Sequence, residues 1–364
     1  MHYYFRHKAQ GTRHKHWQTY ALNLSNNFIR RVFARNSFIF SKLSLNSSSK
    51  LFRKILLVLG LLLLPYLWSL EALASTSGRA NNYRSDAIIL PSEPLPDEPF
   101  IPAISYVRPN KDWGTDQYAG PIDAWNVKEG FPIQSDPKSN FPTTGADGLF
   151  FDLAIKGVDP DQLTWTPVTH DGITVTVKRT MTNDRWTKEM VTRVTLKGPE
   201  ARFQWYNPYP SRITVPRLPW EFVLVGRDSG GNEIVRYAFV LQKWFVHRGD
   251  QGAYSFQQAD WCRGLGYRIP QVKDLTNAVC FGLNTDRRCN GAVGATPSST
   301  GNHYQRRIGA GFLTEWGLLA GYSGTNFNRF GEYWTGDDSF VVNGNGSVMG
   351  LFPSFSSYVI CTTP

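Results

Sequence analysis

The sequence predicts a mixed architecture: an all-β sandwich followed by an α+β domain. Two observations carry this. Between about residues 149 and 243, apolar side chains recur with the two-residue period of half-buried strands, broken by turn residues. From Trp244 onward the period lengthens to helical spacing in two places, and the remainder is Gly, Asn and Ser punctuated by aromatics and framed by cysteines.

In chain order, the first 74 residues hold 11 Lys/Arg and one acid, Glu71. Ile55 to Leu70 carry no charge, and Ala72-Leu73-Ala74 offers small residues at a cleavage position, the pattern of an export leader. The apolar run of 16 residues is short for a membrane span, which needs about 20. The leader is therefore expected over 1–74, with cleavage after Ala74 and membrane contact only during export. The mature chain would be secreted or held at the cell surface, with a periplasmic location as the alternative. The other 290 residues hold 28 basic and 28 acidic side chains. The basic excess thus leaves with the leader, which argues against a nucleic-acid partner.

Residues 75–124 read as a linker: Pro91, Pro94, Pro96, Pro99 and Pro102 exclude a helix and favour extended chain. The sandwich is assigned to 125–243. Ile173, Val175 and Val177 alternate with polar neighbours, Val194-Thr195-Leu196 repeats the pattern, and Phe222 to Val225 form a run. Asp228 to Asn232 is a turn, and a second run spans Ile234 to Phe245. Residues 244–364 form the α+β domain. Phe256, Ala259, Cys262 and Leu265 mark one face of a helix ended by Gly264 and Gly266, and Pro270 opens a shorter helix over Val272, Leu275 and Val279. Short strands are expected at Tyr333-Trp334-Thr335, Phe340-Val341-Val342 and Tyr358-Val359-Ile360.

All four cysteines follow the leader, and an even number in an exported chain points to disulfides. Cys280 and Cys289 are close enough in sequence to pair locally, which leaves Cys262 for Cys361. Zinc would prefer closer Cys pairs with histidines, and only His303 lies inside the frame. No catalytic constellation stands out. His170, His247 and His303 have no Ser or Cys nucleophile beside them in sequence, and Glu315 next to Trp316 lacks the second carboxylate a glycosidase needs. Neither a cofactor nor a metal is expected.

Trp244 to Asp250, Trp261 to Ala278, Thr314-Glu315-Trp316-Gly317, Tyr333-Trp334-Thr335 and Tyr358-Val359-Ile360-Cys361 together resemble the C-type-lectin-like tip of intimin/invasin-family bacterial adhesins. The preceding strands resemble the immunoglobulin-like domain that carries that tip. The resemblance implies a non-enzymatic module that recognises a protein or glycan receptor on a host or neighbouring cell. Two departures stand out. The roughly 75 residues between the leader and the first sandwich strand are too few for the β-barrel that anchors such adhesins, since each spanning strand takes about 9–11 residues. The calcium and sugar triplets of sugar-binding lectins are also missing, and Asp286, Asp337 and Asp338 are too scattered to build a cage of about 6–8 oxygens. The alternative keeps the fold and makes the chain a secreted enzyme or accessory subunit acting on carbohydrate or peptide, with Glu315 as its test residue.

The binding surface is expected on the loop from Thr335 to Gly350, with Asp337, Asp338, Phe340, Asn343 and Asn345 as candidates. Arg287 and Arg288 in the small cysteine loop, and Arg306 and Arg307, are candidate anchors. Arg263 and Arg268 mark a rival face on the helix side.

Overall fold

The computed structural model describes residues 103–364 except 183–187, 283, 284, 286, 329, 330 and 338. The expected leader, the linker up to residue 102, and Asp286 and Asp338 lie outside the described residues. The chain divides into two compact units, 1–79 and 80–364, and every described residue belongs to the second.

The described fold is mostly β. Its strands are β1 (Ala103–Arg108), β2 (Phe131–Pro132), β3 (Thr144–Ala146), β4 (Phe150–Lys156), β5 (Thr164–Trp165), β6 (Val168–His170), β7 (Ile173–Met181), β8 (Met190–Lys197), β9 (Trp220–Arg227), β10 (Glu233–Leu241), β11 (Lys243–His247), β12 (Glu332–Trp334), β13 (Phe340–Asn343), β14 (Val348–Gly350) and β15 (Ile360–Thr362). Three short α-helices among the described residues join them, beside several 3-10 turns: α1 (Ser255–Leu265), α2 (Val272–Leu275) and α3 (Phe312–Trp316). Among the described residues, no helix is long and apolar enough to cross a membrane.

A six-stranded sheet in the order β2-β1-β4-β8-β7-β6 packs on a three-stranded sheet, β10-β9-β5. The period-2 residues point inward, as the alternation predicts: Ile173, Val175, Val194 and Leu196 are buried on one sheet, Phe222, Leu224, Tyr237 and Phe239 on the other. Phe151 bridges the layers, edge-on to Tyr237 at 6.1 Å and to Phe239 at 6.0 Å. The β6–β7 turn is tight, with Asp171 at φ 45° and Gly172 at φ 85°, the two positive-φ positions of a hairpin turn.

The second half has shorter ladders. β11 lies between β15, antiparallel, and β3, parallel, so a strand from the first half completes this sheet. Trp244 fills the junction: a Cβ on Gly145 would meet its ring at 2.9 Å, and one on Gly198 at 2.4 Å. Only a residue without a side chain fits at either place. β12, β13 and β14 form a separate sheet. Disulfides join Cys262 to Cys361, tying α1 to β15, and Cys280 to Cys289.

Four expectations need revision. Residues 103–124, read as the end of a linker, contain β1, which pairs with both β2 and β4. The buried face of α1 is Gln258, Trp261, Cys262 and Leu265, whereas Phe256 is 63% exposed. Gly264 sits inside that helix, and Gly266 alone caps it, with φ 89°. α2 is one turn long, and Val279 lies beyond it in a bridge to Val293.

Candidate binding surface

A groove of about 430 Å³ opens between α2, the chain at 291–293 and the turn after β12. It is lined by Gln271, Lys273, Gly291, Val293, Gly336, Asp337 and Phe340. That volume lies within the range of ligand clefts, about 300–1,000 Å³.

Each wall is fixed by its own chemistry. α2 is anchored from beneath by Asp274, fully buried, whose carboxylate pairs with Lys243 and with Arg268 at 2.7 Å and accepts the Gln271 N–H at 2.8 Å. Burial pushes the Asp274 pKa up, but the two cations outweigh it and hold the carboxyl below its usual range. The 335–340 turn is latched onto the start of α2. The Val272 N–H donates to the Asp337 carboxylate at 2.6 Å, and the Gly336 N–H donates to the Pro270 carbonyl at 2.8 Å. The third wall follows the small disulfide loop, which seats on β14: a Cβ on Gly350 would lie 2.4 Å from the Arg288 carbonyl oxygen. Val293 projects from this wall, 64% exposed.

The groove thus presents Lys273 and Asp337, of opposite charge, beside the apolar Val293 and the edge of Phe340. Its exposed lining is mostly polar, so it suits a ligand that offers hydrogen bonds and charge together with a small apolar contact at Val293.

The sequence candidates divide in three. Asp337 and Phe340 line the groove, and Arg287 and Arg288 are exposed on the loop beside it. Phe340 is not the exposed side chain expected: it is 7% exposed and forms floor, because β13 is the middle strand of its sheet. Asn343 and Asn345 are committed to the β13–β14 turn. The Ser347 N–H donates to the side-chain oxygens of Asn343 at 3.1 Å and Asn345 at 2.9 Å, and the Ser347 hydroxyl donates to Asn345 at 2.6 Å.

Arg306 is overturned as a surface anchor. It is fully buried, donates to the Glu315 carbonyl at 2.6 Å and to the Asn110 carbonyl, and stacks over Trp125 at 4.7 Å. Glu315 does not face a cleft either. Its buried carboxylate accepts the Thr143 and Thr144 hydroxyls at 2.6 and 2.5 Å, both their N–H groups, and the Gly309 N–H at 2.7 Å. Five donors and complete burial make it a structural tie between halves, so it cannot be the acid of a catalytic site.

Gln271, Lys273 and Val293 carry no mark in the sequence. Gln271 and Lys273 become neighbours of Asp337 through the α2 latch, which joins positions some 65 residues apart, and Val293 reaches the groove on the wall that follows the disulfide loop.

The structural neighbours of the chain are invasin and intimin. A crystal structure of invasin, a bacterial integrin-binding protein, matches 72% of this chain at 16% identity and a TM-score of 0.42. A C-terminal fragment of intimin, solved in complex with the intimin-binding domain of the translocated intimin receptor, matches 72% of this chain at 8% identity and a TM-score of 0.38. An intimin mutant from EHEC O157:H7 matches 66% of this chain at 13% identity, with a TM-score of 0.31. The matched region spans 39% of the invasin chain, 66% of the intimin fragment and 92% of the intimin mutant. No family model and no curated protein matches the chain.

Proposed function

We propose that the chain is an exported, non-enzymatic binding protein of the adhesin kind. Residues 125–243 act as an immunoglobulin-like base, and residues 244–364 form a C-type-lectin-like tip. The tip takes a protein or glycan receptor on a host or neighbouring cell through the groove between α2, Val293 and Asp337. The observation that carries this reading is the groove itself. It is open, mostly polar, and carries two opposite charges with the apolar Val293 on one wall, and its walls are held by a latch and a disulfide loop that need no ligand to form.

The test uses Lys273→Glu and Val293→Asp, both at the rim rather than in the core. Binding of the labelled chain to receptor-bearing cells is expected to weaken at least tenfold in each variant, with melting temperature within about 2 °C of the parent, as surface substitutions leave stability nearly unchanged. Unchanged cell binding by both variants would remove the groove from consideration.

A further inference from the structure

A second surface lies on the far side of α1, unrelated to the groove. The helix buries Gln258, Trp261, Cys262 and Leu265 and turns Gln257, Asp260 and Arg263 outward. Exposed aromatic rings flank both its ends. At its start, Ala253 and Ser357 exchange two backbone hydrogen bonds of 2.9 and 3.0 Å, which brings the segment carrying Phe352 and Phe355, themselves in ring contact at 6.3 Å, to the helix end that carries Phe256. At its end, Pro210 packs on Gly264 and the Ile213 N–H donates to the Leu265 carbonyl at 3.1 Å. This brings in the β8–β9 connection with Phe203, Tyr206 and Tyr209.

That connection is long, and its hydrogen bonds hold it in one shape. The Gln204 side chain accepts the Ser211 N–H at 2.7 Å and donates back to the Ser211 carbonyl at 3.1 Å, closing the loop at its base. Trp205 lies tilted against the His247 ring at 5.1 Å and donates its ring N–H to the His247 carbonyl at 2.8 Å, while Arg248 donates to the Trp205 carbonyl at 3.0 Å. The loop therefore spends its buried contacts on Trp205 and leaves Phe203 at 96% exposure. Long ordered loops of this kind are usually functional, and exposed apolar patches of this size mark contact sites.

We infer that this face is where two copies of the chain associate, with their α1 helices antiparallel across a two-fold axis. Charge and area point to a second copy. Asp260 and Arg263 form an exposed i,i+3 pair, with side chains 59% and 75% accessible. A two-fold axis crossing the helix between them sets Asp260 of each copy against Arg263 of the other. The same operation lays the Phe256/Phe352/Phe355 end of one copy on the Phe203/Tyr206/Tyr209 end of the next. An isologous interface must be self-complementary in this way. α1 is about 16 Å long at 1.5 Å per residue, which sets the two aromatic ends one helix length apart. The six rings expose about 900 Å² together, taking about 200 Å² for a whole ring. A stable interface buries about 800 Å² on each partner. The loop from Phe203 to Ser211 and the chain from Ser339 to Pro364 contain no charged residue; the exposed Arg202 and Arg212 flank the loop, Arg212 against Gly266 at the end of α1, and these two join the matched pair as the charges the interface has to keep solvated or paired.

The experiment is sedimentation equilibrium of the full chain, purified as cells process it, from about 1 to 100 μM, the range in which weak dimers dissociate. A monomer–dimer equilibrium is expected. Phe256→Ser with Phe352→Ser should weaken it about a hundredfold, since both remove central aromatic contacts. Asp260→Arg and Arg263→Asp should each weaken it about tenfold or more, and the two together should restore it. A chain that stays monomeric across the range overturns the inference. So does a dimer that tolerates the aromatic changes, or one that the combined charge swap fails to restore.

Discussion

The two halves of the molecule solve the same problem differently. In the sandwich, ladders as long as the eight-residue pairing of β7 with β8 satisfy the backbone, and aliphatic and aromatic side chains fill the interior without a disulfide. In the second half no strand pairing among the described residues exceeds three residues, so most backbone groups must find other partners. Many pair with one another in turns and loops, and buried side chains take others. Asn277 takes the Gln305 N–H at 3.0 Å and donates to the Pro297 and Gln305 carbonyls, Asn302 ties Val348 from both sides, and Glu315 gathers three N–H groups. Two disulfides complete the bracing. Short ladders leave the course of the chain free to form a groove, and buried polar groups and covalent ties are what that freedom requires.

The contrast implies that the second half fails first when a tie is cut. Replacing Cys262 and Cys361 by Ala opens a loop of about 100 residues, for which chain entropy gives about 4–5 kcal/mol. A denaturant titration should show α1 and β15 released while the sandwich strands keep their amide protection; simultaneous loss of both would merge the two regimes into one. Glu315→Ala strands five donors in a buried site and is expected to cost about 3–5 kcal/mol. Urea unfolding measures it, and a loss under 1 kcal/mol would mean that the Thr143–Thr144 segment finds other partners.

His247 sharpens the comparison through pH. It is stacked on Phe327 at 4.2 Å, its Nδ1 accepts the Gly249 N–H at 3.1 Å, and burial pulls its pKa down to about 4. The folded state keeps the ring neutral, whereas the unfolded chain binds a proton below pH about 6.5. Stability is therefore complete above that value and falls as pH drops from about 6.5 to 4, by about 2–3 kcal/mol. Urea midpoints at pH 7.5 and 4.5 check this, and His247→Gln should flatten the difference. Asp337→Asn is the mildest change: the amide still accepts from Val272 but loses the charge at the start of α2. About 0.5–1 kcal/mol is expected, visible as a shift of a few degrees in melting temperature.

Legibility in the sequence followed the same division. β7 to β11 could be read because period-2 alternation is a local signal. β1 could not, since Pro109, Gly114 and Gly120 close behind it suggest an open chain, and its partner β4 lies some 45 residues on. In the second half, spacing found α1 but chose its face one position out, admitting Phe256 and omitting Trp261. Arg306 and Glu315 were misplaced for one reason: charged residues are rarely buried, and nothing local announces the carbonyls and hydroxyls that accommodate them. The groove was half legible. Its Asp337 turn shows in the sequence, while its opposite wall depends on contacts across the chain.

The parallel pairing of β3 with β11 also constrains time. Thr144 to Ala146 leave the ribosome about a hundred residues before Lys243 to His247, and β15 comes at the end of the chain. At about 5–20 residues per second, β3 waits about 5–20 s for its first partner and about as long again for the last strand of that sheet. During that interval the sandwich can close around Phe151 and Phe239, but Gly145 and Gly198 still lack the Trp244 ring that fills the space between them. The first half is thus synthesised with a vacancy shaped for the second, and a fragment starting at residue 244 would carry the plug without its socket.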